Sequence, residues 1–196
     1  MKTHKHKRRI GLLGGSFNPA HEGHVHISTL SLEALGLDEV WWLVSPQNPL
    51  KSMSNMASFA ERYAQAKICA TINPRIHVSN VETHLGTCFT VDSLKAIKNH
   101  YPDCAFVWIV GADNLRQMPK WKGWREIFRT VPIAVFPRAP YSIRALGGRA
   151  ARCFDAGRIE VRQAKKLVNM PPPAWVFLKA PKHGASSTSI RYKAKI

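Results

Sequence analysis

The chain has 196 residues, of which 45% are hydrophobic and 21% charged, so it can bury a sizeable core and is neither fibrous nor wholly disordered. Its net charge of +17 favours anionic partners such as nucleotides, nucleic acids or anionic lipids. The excess lies at the two ends, because residues 1–9 hold five basic residues and no acid, and residues 129–196 hold 14 basic residues and two acids.

The four cysteines form no CxxC pair and show no spacing typical of a metal site. We therefore expect free thiols, as in a reducing cytosol. The apolar run at residues 10–13 is too short for a secretion signal, and no stretch approaches the roughly 18 apolar residues of a membrane span. The sequence predicts a soluble protein without a membrane partner, by default in the cytoplasm.

Short apolar runs alternate with helical patterns along the chain. In chain order they predict a strand at 9–13, a helix at 22–35, a strand at 40–44, a helix at 59–72, a strand at 76–78, a helix at 91–98, strands at 105–110 and 133–136, a helix at 142–156 and a strand at 175–178. Strands that are apolar throughout and alternate with helices are typical of a parallel sheet. We expect an α/β fold, a doubly wound Rossmann-like sheet with helices on both faces. Residues 1–8 are predicted to be a basic disordered tail and residues 9–196 a single domain.

In sheets of this kind, ligands bind outside the carboxyl ends of the strands, where the strand order reverses. Four polar or glycine-containing segments are expected to meet at that edge, namely residues 14–24, 45–51, 111–113 and 186–191.

Spacing excludes three familiar sites. No Gly-Lys-Ser/Thr occurs, so there is no P-loop, and Gly11, Gly14 and Gly15 do not form GxGxxG. His21 and His24 are three residues apart, whereas the zinc-protease motif HExxH places its histidines four apart.

The segment from Gly14 to His24 is instead a glycine turn after a strand, followed by two histidines that enter a helix. Glycine N–H groups and the positive end of a helix suit a polyphosphate. Imidazoles at His21 and His24 can donate hydrogen bonds to charge that grows on phosphate oxygens. The alternative is an ordinary capped helix with structural histidines, but the neighbouring glycines, Phe17 and Pro19 favour a functional site.

Residues 15–24, Gly-Ser-Phe-Asn-Pro-Ala-His-Glu-Gly-His, resemble the motif G-[TS]-F-[DN]-P-x-H-x-G-H of the nucleotidyltransferase superfamily. Residues 186–191 resemble its second motif, I-S-S-T-x-I-R, with Ala185 where isoleucine is usual. Within the superfamily the chain resembles bacterial nicotinate-nucleotide adenylyltransferases, at residues 89–94, 108–113, 119–121 and 135–140. It departs from their pattern at three positions: Leu50 replaces a histidine, Phe89 replaces a tyrosine, and Lys122 stands where an aromatic residue is frequent.

The resemblance implies that nicotinate mononucleotide and ATP are joined to nicotinate adenine dinucleotide, with release of pyrophosphate, in NAD biosynthesis. The phosphate of the mononucleotide attacks the α-phosphorus, so no protein nucleophile is needed. Mg²⁺ would be held mainly through the ATP phosphates rather than by protein ligands.

The resemblance also implies roles for individual residues. The catalytic residues are expected to be His21, His24, Lys51 and Arg191. The residues expected to bind ATP are Gly14, Gly15, Ser16, Phe17, His21, His24, Gly111, Asp113, Ser187, Thr188 and Arg191. The residues expected to bind the acceptor nucleotide are Ser16, Lys51, Thr90, Asp113, Trp121 and Arg138. Among these, Asp113 would bind a ribose, Trp121 would stack on the pyridine ring, and Thr90 would help to hold its carboxylate.

Two alternatives stay open. A related adenylyltransferase would use nicotinamide mononucleotide or phosphopantetheine as acceptor. A basic nucleic-acid-binding module, suggested by the net charge, would bind with a steep salt dependence. We expect the small molecules ATP and nicotinate mononucleotide, and not nucleic acid, to be the partners. A homo-oligomer is left open, and the basic residues at 144–162 are either a solvated face, a dimer contact or a phosphate-binding surface.

Overall fold

The computed structural model describes residues 7–46, 56–138 and 142–180, together with Ser187, Ile190 and Arg191. Within these residues the strands are β1 (Arg8–Gly15), β2 (Glu39–Val44), β3 (Ile76–Ser79), β4 (Cys104–Gly111), β5 (Ile133–Phe136), β6 (Arg158–Ile159) and β7 (Trp175–Phe177). The helices are α1 (Glu22–Ala34), α2 (Phe59–Ala70), α3 (Val81–His84), α4 (Thr90–His100), α5 (Ala112–Gln117), α6 (Trp124–Thr130), α7 (Ser142–Leu146) and α8 (Arg149–Cys153). Short 3₁₀ helices cover Met118–Lys120, Asp155–Gly157 and Val161–Asn169. None of the helices in the described part is long and apolar enough to cross a membrane.

The strands form a single parallel sheet in the order β3-β2-β1-β4-β5-β7-β6. The order reverses at β1, which pairs with β2 on one side and with β4 on the other. This confirms the predicted doubly wound parallel sheet. Strand β6 was not predicted, because two residues are too few to produce a periodic pattern.

Each face of the sheet is covered by its own apolar cluster. Alternate residues of β4 point to opposite sides, so that Phe106 and Trp108 pack with α4 and α6, whereas Val107 and Ile109 pack with α1 and α2. A strand buried on both faces has a continuous apolar sequence, which is why the apolar runs located the strands.

The predicted helix at 142–156 and the predicted start of β1 differ from the structure. The helix predicted at 142–156 is two helices, α7 and α8, followed by a 3₁₀ turn. Gly148 has an extended backbone (φ −74°, ψ 164°) and is the N-cap residue of α8. The helix is interrupted here because glycine is unfavourable in the interior of a helix. Strand β1 begins at Arg8, whose guanidinium pairs with Glu39, so Arg8 is not part of a tail. Lys7 precedes the strand, and its Nζ donates to the carbonyl of Pro102 at 2.8 Å. Residues 1–6 of the predicted tail lie outside the described residues.

The sheet fixes where a ligand site can form. The loops that follow β1 and β4 leave the same edge of the sheet side by side, at the point of reversal. Helix α4 connects β3 to its parallel strand β4, so it runs against the strands and its first residue, Thr90, lies at that same edge.

Gly14 provides a test of the packing beneath this edge. A Cβ at this position would overlap the ring of Trp108, which is buried. We expect Gly14→Ala to lower the free energy of unfolding by about 1–3 kcal/mol, because overpacking forces a buried side chain to move. Urea denaturation measures this. The control is Gly147→Ala, where no atom lies within 4 Å of the added Cβ and a change within about 0.5 kcal/mol is expected. Equal stability of the two variants would refute the packing argument.

Candidate active site at the point of strand reversal

The loop from β1 to α1 is packed into the protein. Both predicted turn glycines, Gly14 and Gly15, remain in β1 and pair with Leu43 and Val44, so the prediction of a tight turn at the glycines is wrong. The chain turns later, at Phe17, which is 2% exposed and has the left-handed φ of 46°. Such a conformation is uncommon for residues other than glycine.

The two histidines form a reciprocal cap at the start of α1. His21 is the N-cap residue, and its Nδ1 accepts a hydrogen bond from Gly23 N at 3.1 Å. His24 Nδ1 accepts from His21 N at 3.2 Å. The ring centroids are 3.9 Å apart. This geometry confirms that the histidines lie together at the helix N-terminus.

The cap also fixes the tautomer. A neutral imidazole whose Nδ1 accepts a hydrogen bond carries its proton on Nε2. In this arrangement His21 and His24 therefore each have an Nε2–H donor. The structural and functional interpretations of the His-x-x-His spacing are compatible, because the cap uses Nδ1 of each ring and the donor is the Nε2–H group.

Buried polar and aromatic side chains contact the ring and the backbone carbonyl of His24. Its ring lies 4.7 Å from the Phe17 ring and 5.8 Å from the Trp42 ring, centroid to centroid. Ser28 Oγ accepts from Trp42 Nε1 at 2.7 Å and donates to the carbonyl of His24 at 2.8 Å. Ser28 and Trp42 are fully buried, so the backbone and the ring of His24 have a rigid support.

Arg62 on α2 ties the loop after β1 to the loop after β2. Its side chain is 1% exposed and donates to four backbone carbonyls. The acceptors are Ser16 at 2.6 Å, Ser45 at 2.9 Å, Pro46 at 3.1 Å and Ala57 at 3.1 Å. Burial lowers the pKa of the Arg62 guanidinium, which is expected for a cation that meets carbonyl dipoles instead of a carboxylate.

Sequence reasoning missed Arg62. The available signal was its position on α2, since Arg62, Ala66 and Ala70 follow one another at four-residue spacing on the buried face. A charged residue on such a face must find polar partners, but nothing in the sequence shows which carbonyls these are.

Two residues of the second motif, at 186–191, contact the loop between β1 and α1. Ser187 and Arg191 have helical backbone. Ser187 Oγ donates to the carbonyl of Pro19 at 3.0 Å, and Arg191 Nη1 donates to the carbonyl of Asn18. The predicted convergence of the two motifs is confirmed for these residues. Thr188 lies outside the described residues, as does Lys51 in the loop after β2.

At the end of β4, Gly111 makes room for a folded-back carboxylate. A Cβ on Gly111 would overlap Asp113 Oδ1, and this buried oxygen has no hydrogen-bond partner among the described residues. Asp113 Oδ2 accepts from Arg138 Nη1 at 2.9 Å. The ion pair brings together two predicted site residues, and their contact with each other was not predicted.

Two of the predicted acceptor residues, Thr90 and Trp121, lie near the start of α4. Thr90 is its first residue, and the Trp121 ring packs against the core after the Met118–Lys120 turn. Lys122 Nζ lies 4.4 Å from the centroid of the Phe89 ring and 3.0 Å from Asp92 Oδ2. No group of three or more His, Cys, Asp or Glu side chains that could hold a metal occurs in the described part of the chain.

Comparison with known proteins agrees with this geometry. A family model described as cytidylyltransferase-like matches residues 12–193. A "Probable nicotinate-nucleotide adenylyltransferase" of Parvibaculum lavamentivorans is 51% identical over 93% of this chain and 90% of its own length. The protein of that name in Rhizobium etli is 44% identical, over 93% of this chain and 94% of its own. The fold is similar to that of Plasmodium falciparum nicotinic acid mononucleotide adenylyltransferase complexed with NaAD, with a TM-score of 0.71 and 18% identity over 94% of this chain and 83% of the other.

Arg62 provides a test of how the site loops are held. We expect Arg62→Met to speed amide hydrogen exchange in the segment 16–20 and at Ser45 by about tenfold or more, because buried carbonyls lose their donors. Hydrogen–deuterium exchange read by mass spectrometry measures this.

Arg75→Met is the matched control, because Arg75 also donates to backbone carbonyls, those of Leu37 and Asp38. These carbonyls lie beside the start of β2, so exchange at residues 16–20 should stay at the rate of the unmodified protein. Equal protection of residues 16–20 in both variants would show that Arg62 does not hold the loop.

Proposed function

We infer the reaction from the family: the chain belongs to the cytidylyltransferase-like family and, within it, to the nicotinate-nucleotide adenylyltransferases. It joins nicotinate mononucleotide and ATP to give nicotinate adenine dinucleotide and pyrophosphate, a step of NAD biosynthesis. The structural observation that carries this conclusion is the pair of His21 and His24 donors at the point of strand reversal, closed over by Arg191. The edge presents hydrogen-bond donors and a helix N-terminus, which suit phosphate oxygens.

The transfer needs no protein nucleophile. A phosphate oxygen of the mononucleotide attacks the α-phosphorus of ATP, the new P–O bond forms there, and the bond to the β-phosphate oxygen breaks. Pyrophosphate leaves with the electron pair of that bond. Catalysis is then positioning of the two phosphates together with stabilisation of the charge that grows on their oxygens.

We propose that the Nε2–H groups of His21 and His24 donate to the α-phosphate and to the departing pyrophosphate. Their rings are fixed by the cap and by the buried support under His24. Donors that are already in place need no reorganisation when the transition state forms. Gly23 between them adds no side chain that would cover the phosphates.

The backbone of the loop supplies a further donor. Arg62 holds the Ser16 carbonyl, and in a trans peptide the next N–H points the opposite way. We propose that the N–H of Phe17, turned away from Arg62, faces the ATP phosphates together with the N–H group of Ser16. The Phe17 ring then acts as the support for His24, since only 2% of this residue is exposed.

The second motif contributes the other side of the phosphate site. We propose that Arg191 binds the β- and γ-phosphates while one of its nitrogens holds the Asn18 carbonyl, because guanidinium has several donors in one plane. Ser187, Thr188, and Lys51 in the loop after β2, are proposed to complete this site.

The ribose and the pyridine ring are assigned to the residues that follow β4 and to the start of α4. We propose that Asp113 accepts a hydrogen bond from a ribose hydroxyl through its buried Oδ1, beside Gly111. Arg138 holds the other oxygen of Asp113 and faces the acceptor. Trp121 is proposed to stack on the pyridine ring, and Thr90, at the start of α4, to bind its carboxylate.

We propose that Mg²⁺ accompanies ATP. The side chains of the phosphate site are imidazole and guanidinium donors, so the ion would be held mainly by phosphate oxygens. When bound, it neutralises phosphate charge. His21, His24 and Arg191 then position the phosphates from the protein side.

The reaction is tested by incubating the protein with ATP and, in turn, nicotinate mononucleotide, nicotinamide mononucleotide or phosphopantetheine. Pyrophosphate release is measured for each acceptor. We expect turnover with nicotinate mononucleotide to exceed that with the other two. Equal rates with the acid and the amide would contradict the assigned acceptor, and release only with phosphopantetheine would favour the related activity.

The role of the histidines is tested by His24→Ala. We expect kcat to fall by about 100- to 1,000-fold, as when a donor to transition-state charge is removed. The matched control is His100→Ala, because His100 is exposed at the end of α4, and its kcat should be unchanged. Circular dichroism checks that both variants fold. Unchanged kcat in His24→Ala would refute the proposed chemistry.

A nucleic-acid-binding module is the rival suggested by the net charge of +17. It predicts that removal of residues 1–6 and neutralisation of the basic residues at 144–162 abolish function. We expect removal of residues 1–6 to leave pyrophosphate release within about twofold of the full chain, because the proposed site residues all lie elsewhere. Loss of turnover on removal of this segment would favour the rival.

A further inference from the structure

Two departures from the family pattern contact each other at the acceptor side of the site. These are Phe89 and Lys122, two of the positions at which the sequence departs from the motifs that it resembles. The Lys122 ammonium lies over the face of the Phe89 ring, 4.4 Å from its centroid. Such a contact is favourable because the ring face carries partial negative charge. The chain thus has a cation held against an aromatic ring at the start of α4.

The surroundings place this cation beside the proposed pyridine site. Lys122 follows Trp121, which is proposed to stack on the pyridine, and Phe89 precedes Thr90, which is proposed to bind its carboxylate. Phe89 is the N-cap of α4 and gives no side-chain hydrogen bond to the helix start, where the helix dipole favours an anion. Both sides of the contact therefore belong to segments assigned to the pyridine ring.

Acidic residues near Lys122 determine how much of its positive charge can act on a ligand. Asp92 Oδ2 accepts from Lys122 at 3.0 Å, and 57% and 43% of the lysine and aspartate side chains are exposed. An exposed pair of this kind is weakly held, so the ammonium can turn towards another anion. Glu82 lies behind α4, is 8% exposed and accepts from Ser93 at 2.6 Å, and burial raises the pKa of its carboxyl.

We propose that Lys122 is a specificity-determining residue of this protein, whose ammonium beside Phe89 favours the carboxylate of nicotinate mononucleotide over the neutral amide. This inference rests on the proposed function. Asp92 opposes the effect by partly neutralising the ammonium. The ammonium is a charge that distinguishes the two acceptors, which otherwise have nearly the same shape.

Removal of the charge of Lys122 and removal of the charge of Asp92 should change acceptor specificity in opposite directions. We compare kcat/KM for nicotinate mononucleotide with kcat/KM for nicotinamide mononucleotide and take their ratio. Lys122→Met should lower this acid-to-amide ratio by about tenfold, as expected for loss of one partly solvated charge near the carboxylate. Asp92→Asn should raise the ratio by about threefold, because it releases the ammonium from its partner.

Lys95→Met is the matched control, because Lys95 is an exposed lysine of α4 and its loss changes the net charge of the protein by the same amount. Its acid-to-amide ratio should equal that of the unmodified protein. Lys122→Gln repeats the test with a polar side chain. Raised salt should lower the ratio of the unmodified protein and leave that of Lys122→Met nearly constant, because exposed charges are screened.

The outcomes separate this inference from the function on which it rests. A ratio unchanged in Lys122→Met and Lys122→Gln, with the acid still preferred, would overturn the role of Lys122 and leave the adenylyltransferase assignment intact. Absence of turnover by the unmodified protein with either mononucleotide would overturn the assignment itself, and this inference with it.

Discussion

The parallel pairing of β1 with strands on both of its sides is the constraint on which the site depends. The connections from β1 to β2 and from β3 to β4 cover opposite faces of the sheet, so the loops after β1 and β4 diverge and leave an opening between them. The loop after β1 is contacted by Ser187 and Arg191, and Asp113 follows β4 directly.

The groups that line this opening must be held rigidly if they are to stabilise a transition state more than a ground state. Three side chains hold the loop after β1 by hydrogen bonds to its backbone carbonyls. Arg62 donates to Ser16, Arg191 to Asn18 and Ser187 to Pro19. Each contact uses a carbonyl and a side chain from a distant part of the chain. These contacts hold the backbone of the loop in place, although the loop has no regular structure of its own.

The sequence predicted those features that depend on local patterns. Short apolar runs located six strands, and the glycine-histidine segment with its partner near the C-terminus predicted where the two motifs meet. The continuous helix predicted at 142–156 was wrong because two adjacent glycines outweigh the surrounding helical pattern. Arg62 and the contact of Lys122 with Phe89 and Asp92 could not be predicted, because their partners lie on other elements and only the fold brings them together.

The central claim is that this edge transfers the adenylyl group of ATP to a mononucleotide phosphate. The most direct measurement follows a radioactive phosphorus placed at the α-position of ATP, or in a separate reaction at the γ-position, during incubation with nicotinate mononucleotide. Label from the α-position should enter the dinucleotide, and label from the γ-position should leave as pyrophosphate. Transfer of γ-label to the mononucleotide, or no entry of α-label into a dinucleotide, would contradict the account.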